Sequence, residues 1–317
     1  MKSWWPLLNS DALPTLGRRK PGWPGFFRAW GISCAMFCVC LPLALPPPAP
    51  AQQYSVLKTF VCDAAWPTTT LVLSSNTLYG TTTGGGGVLY GGRYTVGTNG
   101  TVFSLNTDGT GFSVLKSFTG SGGSSPQGDL VLAGNTLYGT TAYGGATNAG
   151  TVFRLNTDGS GYAVLKRFTC ADGEEPQGGL LVSGNALYGT ANRGGDSGCG
   201  TVFKVNADGT GFTVLKSFSG PDGAWPEAAL AVSGSALYGT TYAGGASNLG
   251  TVFTVNTDGT GFGVLGSFSG QDGAEPMGSV LVSGNTLCGI TSQGGIWGDG
   301  AVFQMNKDGT GFAALAN

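Results

Sequence analysis

From Thr101 onward the chain returns to one apolar pattern every fifty residues: "TVF" stands at Thr101, Thr151, Thr201 and Thr251, and "AVF" at Ala301. Within a period the pattern changes kind. Leu130-Val131-Leu132 is short and wholly apolar, as in a strand buried on both faces. Gly134-Asn135 supplies backbone that tolerates positive φ, which predicts a hairpin. A second strand follows at Thr136–Thr141 ("TLYGTT"), then a loop with Gly144-Gly145. A third strand spans Gly150–Asn156, with Val152 and Arg154 on one face and Phe153 and Leu155 on the other. Asp158-Gly159-Ser160-Gly161 turns the chain into a fourth strand, Tyr162–Phe168, and about ten residues around Pro176 lead to the next apolar run at Leu180.

Four strands in a meander, with the long link only after the fourth, predict an all-β fold: a β-propeller of about five four-stranded blades beginning near Thr70, Gly128, Gly178, Ala228 and Gly278. Such blades bury their sheet faces only against neighbours. "YSVLKTF" at 54–60 is a further fourth-strand copy with no blade before it. It is expected to pair with the last blade and close the ring, which removes an exposed edge. The alternative is an incomplete or truncated ring, since the sequence ends at "GFAALAN" within the fifth unit.

The first fifty residues break the pattern. Arg18, Arg19, Lys20 and Arg28 precede an apolar run from Ala29 to Leu45, then prolines and Ala49-Pro50-Ala51. This order predicts a signal peptide over 1–51, cleaved after Ala51, with the repeat domain at 52–317 secreted, extracellular or on the cell surface. The cleaved chain keeps 10 basic and 16 acidic side chains. No basic stripe remains for nucleic acid, and no second long apolar segment for a membrane span. The 317 residues contain no histidine, which removes the commonest general base and every Ser-His or Cys-His nucleophile pair.

The spacing "LYGTTAYGG…GTVFRLNTDGSGYAVLKRF" is similar to a kelch blade in architecture, without the tryptophan of kelch strands. The wording "GTVFxLNxDGTGFxVLKSF" with "LYGTT…GG", in five copies over residues 54–317, more closely resembles the GloVer tandem-repeat family of exported bacterial proteins. The resemblance implies a secreted or surface-attached protein and assigns no activity to any residue.

Asn106, Asp108, Thr110 and Gly111 fall at offsets 1, 3, 5 and 6 of a calcium loop, but offset 12 holds Ser117, Arg167, Ser217 or Ser267 rather than an acid. The cluster therefore reads as a hairpin turn, and neither metal nor cofactor is predicted. Gly84–Gly87 is not followed by Gly-Lys-Ser/Thr and reads as a flexible insertion. Alternating strand direction puts the crossovers and the second-to-third loops on one face. Its exposed candidates for binding are Trp66, Tyr143, Asp172, Arg193, Asp222, Trp225, Tyr242, Asp272 and Trp297. Aromatic rings beside carboxylates suit a glycan or a surface protein. The leading expectation is thus a non-enzymatic binding scaffold. The alternatives are a glycan-active hydrolase using Asp/Glu pairs and a purely structural surface protein. Cys170 and Cys199 depart from the other copies within one blade and form a candidate disulfide, whereas Cys62 and Cys288 are expected to stay free.

Overall fold

The computed structural model describes residues 55–60, 64–86, 89–90, 93–94 and 99–316. The expected signal peptide, Cys62 and Asp63 lie outside the described residues, which contain no helix.

Five antiparallel four-stranded sheets form the blades of a β-propeller. Blade 1 comprises Val72–Ser74, Thr77–Thr82, Thr101–Asn106 and Ser113–Ser117. Blade 2 comprises Val131–Ala133, Thr136–Thr141, Thr151–Asn156 and Ala163–Arg167. Blade 3 has Leu181–Ser183, Ala186–Ala191, Thr201–Asn206 and Thr213–Ser217. Blade 4 has Ala231–Ser233, Ala236–Thr241, Thr251–Asn256 and Gly263–Ser267. Blade 5 has Leu281–Ser283, Thr286–Thr291, Ala301–Asn306 and Ala313–Ala316. Strand order within each sheet is sequential, and the first strands of blades 2 and 3, and of blades 4 and 5, lie side by side, as around an axis.

The core consists of blade-to-blade interfaces, each written by period-two alternation. One blade offers Tyr138 and Val152, with Phe168 from the crossover; the next offers Leu180, Leu187, Phe203 and Val205. The same grammar joins blades 1–2, 3–4 and 4–5. At the centre stand three rings: Phe203 meets Phe168 edge-on at 5.0 Å and lies beside Phe212 at 6.0 Å. Gly189 pairs directly with Phe203, and a Cβ there would sit 2.5 Å from the ring's Cζ. The glycine of "LYG" is thus the space the phenylalanine fills.

A β-bulge recurs in every blade between the valine and phenylalanine of the third strand, for example at Val202/Phe203. The extra residue on the fourth strand, such as Leu165, rests on the next blade's polar turn. Gly209 in that turn has φ +90°, and a Cβ there would come 3.2 Å from the Leu165 carbonyl oxygen. The polar turn therefore both reverses the chain and docks on the preceding blade. Lys166 completes the contact, 3.9 Å from the centre of the Phe212 ring and ion-paired to Asp172. Blade 2 replaces that phenylalanine with Tyr162, whose hydroxyl donates to the Gly122 carbonyl while Lys116 covers the ring at 4.0 Å.

The ends differ from expectation. Ser55–Phe60 enters no sheet and does not pair with blade 5, whose fourth strand is its own Ala313–Ala316. The segment instead packs on blade 1, where Phe60 meets Phe103 edge-on at 5.1 Å, as Phe168 meets Phe203. Nor do blades 5 and 1 bury each other. Val302 is 39% exposed where its four counterparts are 0% exposed, and Leu71 is 51% exposed where its counterparts are 4–6% exposed. The five blades form an arc rather than a closed ring. The physical reason is that the third strand of blade 5 already pairs with its own Ala313–Ala316, which leaves the N-terminal segment no free edge there.

The glycine run is not a free insertion either. Gly84–Gly85 pairs antiparallel with Ala64–Ala65, and Leu89–Tyr90 pairs with Arg93–Tyr94. Each crossover also holds one non-glycine residue in the left-handed region immediately before a proline: Trp66, Ser125, Glu175, Trp225 and Glu275, with φ from 53° to 59°.

Three outcomes follow. Phe203→Ala should cost about 3–5 kcal/mol in urea unfolding, because the ring is fully buried and Gly189 cannot fill the hole. Ser125→Gly should stabilise by about 1 kcal/mol through relief of left-handed strain; an unchanged or lower midpoint would refute that strain. Burial pushes the Tyr162 hydroxyl up to about 12, against a slight opposing pull from Arg167. Its neutral form therefore supports the fold fully below pH 10, and that support is lost as pH rises through about 12. The pH–stability curve of Tyr162→Phe should be flatter than that of the parent chain over that window.

Candidate binding face

The crossovers and the second-to-third loops do meet on one face. Backbone bridges join Ser124 to Tyr143, Glu174 to Arg193, Ala224 to Ala243 and Ala274 to Gln293. Ser125, Glu175, Trp225 and Glu275 are each clamped twice, and Trp66 is held through its carbonyl, which accepts from the Thr83 N–H at 3.1 Å. The Trp225 N–H donates to the Cys199 carbonyl and the Trp225 carbonyl accepts from the Tyr242 N–H, both at 2.9 Å. A strained backbone held in this way aims the side chain outward at a fixed position.

Two aromatic sites result. Trp225, 42% exposed, lies 6.3 Å from Tyr242 with the rings tilted by 33°. The Tyr242 hydroxyl donates to Glu275 Oε2 at 2.6 Å, and Gln293 Nε2 donates to the same oxygen at 2.5 Å. That hydrogen bond, with the negative charge behind it, holds the phenol above its ordinary pKa. On blade 1, Trp66 edges a cleft of about 480 Å³ lined by Thr68, Thr83, Ser125 and Gln127. Its ring covers Gly84, where a Cβ would fall 2.6 Å from Cε3.

Two positions beyond the strained residue of each crossover between blades the chain turns to the axis. Gln127, Gln177, Glu227 and Met277 line a depression of about 130 Å³ there, together with Asp129 and Ser279. Burial raises the Glu227 carboxyl above its usual range; the Asn192 amide, donating at 3.4 Å, opposes the rise and Glu275 adds to it. Asn192 is 7% exposed, and its Oδ1 has no hydrogen-bond partner. An acceptor buried in this way is costly unless something donates to it.

The residues singled out from sequence separate into groups. Trp225 and Tyr242 come together, and Trp66 flanks the cleft. Arg193 leans toward Glu175, Nε to Oε2 at 3.7 Å. Tyr143 joins through its backbone, and Trp297, 80% exposed, has no aromatic partner among the described residues. Asp172, Asp222 and Asp272 serve turns, accepting from the backbone N–H of Thr169, Ser219 and Ser269 at 2.7–2.8 Å. The first two also pair with Lys166 and Lys216. Asn192 and Glu227 were not legible as site residues, because nothing in their local wording announces burial beside the axis.

On the opposite end the Asn-x-Asp-Gly turn is a turn. Asp208 Oδ1 accepts from the Thr210 hydroxyl at 2.7 Å and the Thr210 N–H at 2.9 Å, which holds its carboxyl below the usual range. Cys170 and Cys199 are both free thiols here. Cys170 donates to Glu174 Oε1 at 2.5 Å, which raises its pKa, and Cys199 faces the Ser197 carbonyl at 3.5 Å. No metal-ligating cluster occurs among the described residues.

In backbone outline the chain is similar to a protein of a nidogen/laminin complex: TM-score 0.46, 16% identity, covering 69% of this chain and 76% of that one. It is also similar to TolB from Acinetobacter baumannii, at TM-score 0.46 and 13% identity, covering 74% of this chain and 50% of that one. Tricorn protease gives TM-score 0.42 and 12% identity, covering 76% of this chain and 22% of that one. These likenesses carry no argument about activity, and the chain spans about half the length of that TolB. No curated protein matches the sequence. The repeat is decisive: the model of the Gloeobacter/Verrucomicrobia repeat matches twice, over residues 48–182 and 157–317, and the chain belongs to that family.

Proposed function

We propose that the chain is an exported, non-enzymatic binding scaffold whose loop-rich face takes a glycan. The observation that carries this reading is the pair of tryptophans, Trp66 and Trp225, held outward at φ 59° and 58° before a proline. A rigid aromatic face with carboxylate and amide groups at its rim suits a sugar ring: the apolar face of the sugar stacks, and its hydroxyls bond to Glu275 and Gln293. The basic, apolar and Ala-Pro-Ala order of residues 18–51 supports export.

Glycan-array binding by the secreted form tests the ligand class. Trp225→Ala should weaken binding by about tenfold or more, worth about 1.4 kcal/mol, with the fold intact. Equal binding by the parent and a Trp66→Ala/Trp225→Ala double variant would overturn the reading. Export is checked by N-terminal sequencing of the mature protein, which should begin at Gln52.

One observation favours a hydrolase instead: Glu227 is partly buried, raised, and electrostatically coupled to Glu275. Reducing-sugar release from a polysaccharide, abolished by Glu227→Gln while binding persists, would move the assignment to that class.

A further inference from the structure

The N-terminal end of the arc carries an apolar cavity that shares no residue with the aromatic sites of the loop-rich face. Ser55–Phe60 occupies the position that a fourth strand holds in every internal interface. Lys58 covers the Phe112 ring at 4.0 Å, as Lys166 covers Phe212 at 3.9 Å. The Leu57 carbonyl oxygen meets Gly109 as the Leu165 carbonyl oxygen meets Gly209. Between this segment and blade 1 lies a cavity of about 340 Å³ walled by Leu57, Phe60, Leu71, Leu78, Phe103 and Leu105. In the interface of blades 2 and 3 the corresponding walls, Leu165, Phe168, Leu180, Leu187, Phe203 and Val205, enclose Tyr138 and Val152. These two side chains come from the second and third strands of the preceding sheet.

We propose that this end of the arc binds a three-stranded antiparallel meander from another chain, carrying the repeat's own first-to-third-strand pattern. Its tyrosine and valine fill the cavity, and its third strand pairs with Ser55–Thr59 in the register that Thr151–Asn156 uses with Ala163–Arg167. The occupant follows from continuity with four interfaces of the same grammar. A complete blade of a second copy fits less well, because its own fourth strand would compete with Ser55–Phe60 for one place.

The test uses a meander of the sequence 128–156 on a soluble carrier, added to the full chain. Hydrogen exchange at 55–60 should slow by about tenfold or more on binding, through new ladder hydrogen bonds. A meander with Tyr138→Asp should have no effect. Trapping by disulfide does not require the isolated meander to be stable: Lys58→Cys in the chain should cross-link to Val152→Cys in the meander, its register partner. It should not cross-link to Phe153→Cys, which faces the other way. Failure of both readouts, or equal cross-linking at 152 and 153, would overturn the proposal. So would protection of 55–60 in the concentrated chain alone, since a second copy would then be the occupant. Neither readout involves Trp66 or Trp225, so this proposal and glycan binding succeed or fail separately.

Discussion

Everything in this molecule depends on burying a sheet that has two apolar faces and no interior of its own. The solution is a wedge. Phe103, Phe153, Phe203, Phe253 and Phe303 each stand over a glycine of the neighbouring strand and meet a phenylalanine delivered by the segment before. Packing of this density leaves no slack, since a single added Cβ at the glycine would overlap the ring. It also sets a minimum length for the repeat. A unit must be long enough to build one sheet and to carry its closing phenylalanine across to the next.

The same demand shapes the loop-rich face. The crossover must leave the outer strand, deposit its phenylalanine in the interface, and reach the innermost strand of the next blade. It does so through a left-handed residue followed by proline, clamped by backbone hydrogen bonds on both sides in the four crossovers that join two blades. The fold thus holds one side chain per blade at a fixed position, exposed where it is tryptophan and half-buried where it is serine or glutamate. Serine and glutamate occupy three of these positions and tryptophan two. A scaffold that repeats its backbone while varying that residue separates packing from recognition.

Most of this order was legible in the sequence because it is periodic. The second strand, Thr136–Thr141, lies where the alternation put it, and Phe153 and Val152 face opposite neighbours as their parity required. What the sequence hid lies in backbone conformation and in contacts that local wording does not announce. Left-handed φ at Trp66 and Trp225 cannot be read from a tryptophan before a proline, where local sterics favour extended backbone. Asp172, Asp222 and Asp272 looked available because they are acidic and in loops, yet each closes the turn that contains it. Asn192 and Glu227 matter through burial near the axis, which only the assembled blades create.

The two ends of the arc are not equivalent, and the difference is chemical. In blades 2, 3 and 4 a threonine of the second strand donates to a carbonyl of the next blade: Thr140 to Gly178, Thr190 to Ala228 and Thr240 to Gly278. Blade 5 has Ile290 at that position, 55% exposed, and Cys288 where the others have tyrosine. Its outer face has given up the hydrogen bond that ties one blade to the next and gained apolar surface instead. Blade 1, by contrast, keeps the full leucine and phenylalanine set of an internal face, with Ser55–Phe60 packed on it where a fourth strand lies in the internal interfaces. One end is therefore built to continue the repeat's own grammar. The other presents a surface of different composition, which a further blade of the same kind would match less well.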